Sequence, residues 1–141
     1  MLISSVKCRK CSFVSNSYDP FLDLSLEIER RNYSIEDCLD SFFAKERLDD
    51  KYLCGKCNKK SYASKKIFIS RLPKYLTIHL KRFRFHTEGA VKIERDIHYP
   101  MHLNNLSDYM VGDENSNIAY ELFAIVVHHG EFDGGHYVAK A

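Results

Sequence analysis

The sequence predicts an α+β fold, mainly antiparallel, with an extension built around a metal ion. Three observations carry this. Two C-x-x-C pairs, Cys8/Cys11 and Cys54/Cys57, stand far apart in the chain. Between them lies one capped, amphipathic helical pattern. After residue 62 the chain reads almost entirely as strands separated by turn residues. The 141 residues suit one domain. Within it we place a metal-binding region at 1–62 and a β-rich region at 63–141.

In chain order, Cys8-Arg9-Lys10-Cys11 reads as a tight turn. In Pro20–Ile28, Leu22, Leu24, Leu26 and Ile28 alternate with Asp23, Ser25 and Glu27, the pattern of a half-buried strand. Ser34, with Asp37 three residues on, predicts a helix start. Ile35, Cys38, Leu39, Phe42 and Phe43 then form one apolar stripe, over a helix spanning about 34–47. Cys54-Gly55-Lys56-Cys57 makes the second turn, which Gly55 suits. Strands are expected at 63–70 and, after the Leu72-Pro73 break, at 75–85. A loop at 86–89 leads to an extended segment at 91–99, and another polar loop falls at 113–117. Tyr120–His128 is apolar on both faces and reads as a central strand. A loop at 130–135 holds three of the six glycines, and a final strand begins at His136.

The four paired cysteines form a candidate structural zinc site. Zinc takes four ligands in a tetrahedron, and a C-x-x-C turn sets two thiolates at a distance suited to one ion. With Cys8, Cys11, Cys54 and Cys57 all supplying sulfur, no position remains open for water, so the ion would support the fold rather than catalyse. The 42 residues 12–53 exceed compact ribbon spacing, so strands and the helix must be inserted between the two turns. A redox dithiol, or reduced cysteines without metal, are the alternatives. Cys38 is the one spare thiol. It sits on the apolar helix stripe, where burial raises a thiol's pKa and makes it inert.

The formal net charge of +2 lacks the basic excess of a nucleic-acid binder. The longest apolar run, Leu122–Val127, is far short of the ~20 residues a membrane span needs. The N-terminus shows no signal-peptide pattern, and the odd cysteine number does not suit a secreted disulfide scaffold. We expect a reducing compartment, cytoplasm or nucleus. Oligomeric state leaves no mark in the sequence.

Four motifs in order resemble the ubiquitin-specific protease family. They are the first cysteine pair followed by Asp19–Leu26, then the capped helix with the second pair, then Leu72–Phe83, and last Tyr120–Gly130 running on to Gly134-Gly135-His136-Tyr137. The resemblance covers residues 8–139. It implies a papain-like Cys-His-Asp/Asn hydrolase that cleaves isopeptide bonds after the C-terminal Gly-Gly of ubiquitin, so ubiquitin and ubiquitinated proteins become the expected partners. In the family's terms the chain is a partial catalytic domain, a zinc-tipped finger region followed by a palm with the histidine box. By motif position His136 is the general base, with Gly134, Gly135 and His128 at the substrate channel. The loops 86–91 and 129–135 resemble the two that gate the ubiquitin tail. The family's nucleophile box precedes the first cysteine pair, and its orienting Asp/Asn follows the histidine strand. Neither is in this chain, which we therefore read as the C-terminal part of the catalytic domain, inactive alone. A non-catalytic ubiquitin-binding scaffold on the same fold is the alternative. A zinc-ribbon nucleic-acid binder is disfavoured by the low charge.

Overall fold

The computed structural model describes residues 1–87, 89–112 and 118–141. The loop expected at 113–117, and residue 88 in the 86–89 loop, lie outside the described residues. The architecture is mostly antiparallel sheet with few helices.

Strands β1 (Leu2–Cys8) and β2 (Val14–Asp19) form a hairpin that the sequence reading did not identify. Their Ser-rich stretches lack a clean alternation. β1 is held instead by a distant partner, β7 (Ala63–Ile69), whose extent matches the expected strand. Strand β3 (Asp23–Glu27) follows. Its Leu24 and Leu26, with Ile28 beyond, are buried, whereas Leu22 is 91% exposed and outside the strand. The alternation was thus right for the strand and wrong for its first leucine.

Helix α1 (Ile35–Phe43) starts as expected. The Asp37 N–H donates to Ser34 Oγ at 3.1 Å, and the Ser34 N–H donates back to the Asp37 carboxylate at 3.0 Å. The helix stops at Phe43 rather than near Arg47. Ala44 is extended, and β4 (Glu46–Arg47) joins the edge of β7, with Lys65 and Glu46 paired at 3.0 Å. Pairing with a sheet edge outcompetes a last helical turn. The resulting four-stranded sheet runs β2-β1-β7-β4 and combines strands from both sides of residue 62.

Short strands β5 (Tyr52–Leu53) and β6 (Lys60–Ser61) flank the second cysteine turn. The expected strand at 75–85 is broken at Arg82, whose N–H turns back to the Leu80 carbonyl at 2.8 Å. It yields β8 (Thr77–Lys81) and β9 (Phe83–His86). β8 pairs with β3 in parallel, the exception to the antiparallel rule among the described strands, joining Leu24 to Ile78 and Leu26 to Leu80. β9 pairs with β10 (Gly89–Lys92). In the segment expected to be extended to Tyr99, the ladder ends at Lys92; beyond it the Arg82 guanidinium donates to the carbonyls of Ile93 and Arg95, and His98 forms a bridge with Ser34.

Strand β11 (His102–Leu103) pairs with β12 (Tyr120–Glu121), and β13 (Ile125–Glu131) pairs with β14 (Gly134–Lys140). Tyr120–His128 is therefore two strands, not one central strand. Phe123 is 69% and Val126 67% exposed, so apolar composition here does not mean burial within the chain.

The core lies where α1 covers β3. Leu24, Leu26, Ile28, Ile35, Cys38, Leu39 and Phe43 pack with Ile69, Ile97 and Leu106. Phe43 stacks on Tyr109 at 4.6 Å, and the Tyr109 hydroxyl donates to Asp40 at 2.7 Å. Buried Asn32 is fully used: it accepts from the Glu29 N–H and donates to the Asp37 carbonyl and Ser41 Oγ. No helix among the described residues is long and apolar enough to cross a membrane.

Candidate metal centre and histidine hairpin

The two cysteine turns share one backbone design. Cys8 ends β1; its N–H donates to the Phe13 carbonyl at 2.9 Å, and its own carbonyl accepts from the Ser12 N–H at 3.0 Å. In the second turn the Cys54 N–H donates to the Lys59 carbonyl at 3.2 Å, and the Asn58 N–H donates to the Cys54 carbonyl at 2.8 Å. The residue after the second cysteine is left-handed in both, Ser12 at φ 59° and Asn58 at φ 50°. Asn tolerates that region better than most side chains. Gly55 has open space around a would-be Cβ and is not the left-handed position, so the turn's special conformation falls on Asn58 instead.

This geometry turns backbone N–H groups toward sulfur. The N–H of Cys57 foremost holds the Cys54 thiol down to about 6, against the effect of burial and with help from the N–H of Lys56. The N–H of Cys11 likewise lowers Cys8. Cys11 is pushed up to about 11: the Phe13 N–H pulls it down, but burial and the three neighbouring thiols together outweigh it. All four sulfurs lie within 4.8 Å of one another, with Cys11 and Cys54 Sγ 3.6 Å apart. A tetrahedral site with Zn–S near ~2.3 Å sets sulfurs ~3.8 Å apart. The donor set and its dimensions fit a metal ion, and the all-sulfur chemistry is consistent with zinc. Tertiary pairing makes this possible. β1 pairs with β7 from Cys8↔Ala63, and the β5–β6 ladder brings Cys54 and Cys57 alongside.

Cys38 lies in the core, far from this chemistry. Burial first, then the neighbouring Asp37 carboxylate, raises its thiol.

His136 lies on β14, paired across the hairpin with His129, and both are exposed. The expected 130–135 loop is mostly strand: β13 reaches Glu131, β14 starts at Gly134, and Phe132-Asp133 alone make the turn. Gly130 has φ +112°, and a Cβ there would come 2.5 Å from the Gly134 carbonyl. A Cβ on Gly135 would come 2.2 Å from His128 Nε2, whereas Gly134 has open space. The twin glycines are therefore not equivalent: Gly135 makes room for the His128 ring, and only Gly134 is bare toward the surroundings. The His128 ring lies 4.7 Å from Tyr137 and 5.6 Å from Phe83, with Nδ1 buried and without a hydrogen-bond partner among the described residues. His79, on β8, meets Ser25 Oγ at 3.1 Å.

Sequence reasoning missed Lys92, whose ammonium reaches the carbonyls of His128 and Gly130. It also missed Phe132, which meets Phe83 and Phe85 at 5.7 and 5.2 Å. No local pattern distinguishes this lysine from a solvated one.

Comparison with known proteins is consistent across sequence and structure. The family described as ubiquitin carboxyl-terminal hydrolase matches residues 1–141. Human Ubiquitin carboxyl-terminal hydrolase 3 is 39% identical over 160 residues, covering 100% of this chain and 31% of its own length. Ubiquitin carboxyl-terminal hydrolase 8 of Saccharomyces cerevisiae is 40% identical over 149 residues, covering 98% of this chain and 31% of its own. The SAGA Ubp8/Sgf11/Sus1/Sgf73 DUB module bound to ubiquitin aldehyde superposes with a TM-score of 0.86 at 39% identity, over 98% of this chain and 32% of that one. The same kind of module bound to monoubiquitin gives 0.86 at 41% identity, over 98% and 31%.

The fold is that of the ubiquitin-specific proteases, here carrying a four-cysteine cluster that could hold a metal ion. This chain belongs to the ubiquitin carboxyl-terminal hydrolase family. It spans 31% of the length of each of the two curated relatives named above.

Proposed function

We propose that this chain is part of a thiol-dependent deubiquitinase that hydrolyses isopeptide bonds after the C-terminal glycine of ubiquitin. It supplies the general base, His136, and a structural zinc site held by Cys8, Cys11, Cys54 and Cys57. The carrying observation is the exposed His136 imidazole, two residue pairs from the turn of a glycine-bearing hairpin, in a chain of this family. The relatives bear the hydrolase name, and two structural neighbours hold ubiquitin aldehyde or monoubiquitin.

The nucleophile comes from outside these residues. Four of the five thiols are committed to the cluster, and the fifth, Cys38, is buried with its pKa raised. In the assembled site a thiolate attacks the carbonyl of ubiquitin's last glycine. The histidine accepts the thiol proton and then donates it to the departing lysine amine; water later releases the acyl group by the reverse roles. Gly134 lines the channel where an extended Gly-Gly tail passes, since it alone of the pair offers open space, and His128 supports that wall from beneath Gly135. Zinc, when bound, supplies no chemistry to the reaction; it fixes the two cysteine turns. The finger lies within residues 1–62 together with β7, which completes its sheet, and the palm with the histidine box lies within 63–141. The 86–91 and 129–135 hairpins gate the tail, and the protein works in a reducing compartment, cytoplasm or nucleus.

The test is hydrolysis of a fluorogenic ubiquitin substrate by the longer protein that carries this segment. The wild type should cleave, and His136→Ala should abolish cleavage while zinc stays bound. The 141-residue chain alone should be inactive. Full activity in His136→Ala would remove His136 from the mechanism. Ubiquitin binding without cleavage by the longer wild type would instead favour a scaffold built on the same fold.

A further inference from the structure

Lys92 is the last residue of β10 and pairs with Phe83 of β9. Its side chain is only 9% exposed. The ammonium donates to the carbonyls of His128 at 3.3 Å and Gly130 at 2.5 Å, and lies 3.5 Å from a Glu94 carboxylate oxygen. An ammonium has three N–H donors and no acceptor; two are used on these carbonyls, and the Glu94 carboxylate balances the charge. A lysine is rarely buried without such partners.

The placement is specific. In an antiparallel ladder, alternate residues turn their carbonyls to the same edge of the strand. His128 and Gly130 flank His129, which pairs with His136 on β14. Lys92 therefore occupies the edge of β13 that faces away from β14, at the register of the His129–His136 pair. Among the described residues no backbone ladder joins β9–β10 to β13–β14. Side chains join them instead: Lys92, and the contacts of Phe83 and Phe85 with Phe132 and His128.

We propose that Lys92 is a positioning residue for His136: its buried ammonium clasps the free edge of β13 and so fixes the hairpin on which the histidine is presented. The proposal rests on the reading of His136 as general base. It adds that the β9–β10 hairpin helps to set the orientation of that base through Lys92, beside the aromatic contacts.

The test compares Lys92→Met, which keeps length and loses the donors, with Lys92→Arg, which keeps charge and donors, in the longer zinc-loaded protein that carries this segment. Amide hydrogen exchange is followed by NMR across β13–β14, with β1–β7 as an internal reference for the fold. Lys92→Met should speed exchange in the hairpin about tenfold while β1–β7 keeps its protection. It should also shift the His136 ring resonances, and Lys92→Arg should restore both readouts. Unchanged hairpin exchange and ring signals, or equal acceleration in both sheets, would overturn the proposal. In the longer enzyme, Lys92→Met should lower kcat, and Lys92→Arg should recover it; an unchanged kcat would also overturn the proposal. If the wild-type enzyme does not cleave, the functional reading fails, while exchange and ring signals still decide the role of Lys92.

Discussion

The His128 imidazole packs so closely on the Gly135 backbone that a Cβ on Gly135 would sit 2.2 Å from Nε2 and 2.4 Å from the His129 carbonyl. One of the two glycines before His136 is thus required by the chain's own packing, independently of any substrate.

Gly135→Ala should therefore destabilise the hairpin by about 1–3 kcal/mol, the usual cost of overpacking. Gly134→Ala meets nothing within 4 Å and should stay within about 0.5 kcal/mol. Denaturant midpoints of the two variants measure this difference. In the longer enzyme, Gly134→Ala should still impair cleavage, since the added methyl faces the proposed channel.

The cysteine cluster should bind a single zinc per chain, readable by native mass spectrometry. Structural zinc in small modules contributes on the order of 10 kcal/mol, so a chelator should strongly lower the thermal midpoint. Cys54→Ser should abolish tight binding. Metal holding needs thiolates. Zinc therefore competes with protons for the four sulfurs, so its affinity should fall steadily as the pH is lowered, with release in acid.

Ser34→Ala removes the oxygen that accepts the Asp37 N–H and should cost about 1 kcal/mol. Asp37 adds a pH signature. The N–H of Tyr33 foremost, against burial, and then the Ser34 hydroxyl and N–H hold its carboxyl below the ordinary range. The cap's contribution is therefore complete above the ordinary carboxylate value of ~3.9 and is lost as the pH falls through the lower folded value. Asp37→Asn should flatten the acid limb of a stability-versus-pH curve.

Leu26→Ala should cost about 2–5 kcal/mol, because Leu26 is fully buried where β3 meets β8 and α1. Leu22→Ala, two turns of the same alternation earlier, should be close to neutral, because Leu22 is 91% exposed. Urea titrations of the two would show where the buried face of this strand begins.

What the sequence determined by itself was whatever short-range chemistry specifies. Thiol pairs at i and i+3 mark the two turns, a Ser34–Asp37 box marks the helix start, and alternating leucines mark β3. Their outcomes depend on neighbours a few residues away, so the pattern carries the answer. The family was legible for a related reason, since several such local motifs stand in one order. The tertiary structure decided the rest. It paired β1 with β7, ended α1 at Phe43 by drawing residues 46–47 onto a sheet edge, and broke the 75–85 strand so that its halves serve different partners. It also left Phe123 and Val126 exposed and buried the ammonium of Lys92 against two carbonyls. Each of these depends on which distant edge or face arrives beside a segment. Hydrophobic period records only that a face wants burial, not what buries it, and a lysine's composition does not reveal whether water or a carbonyl edge will receive its charge.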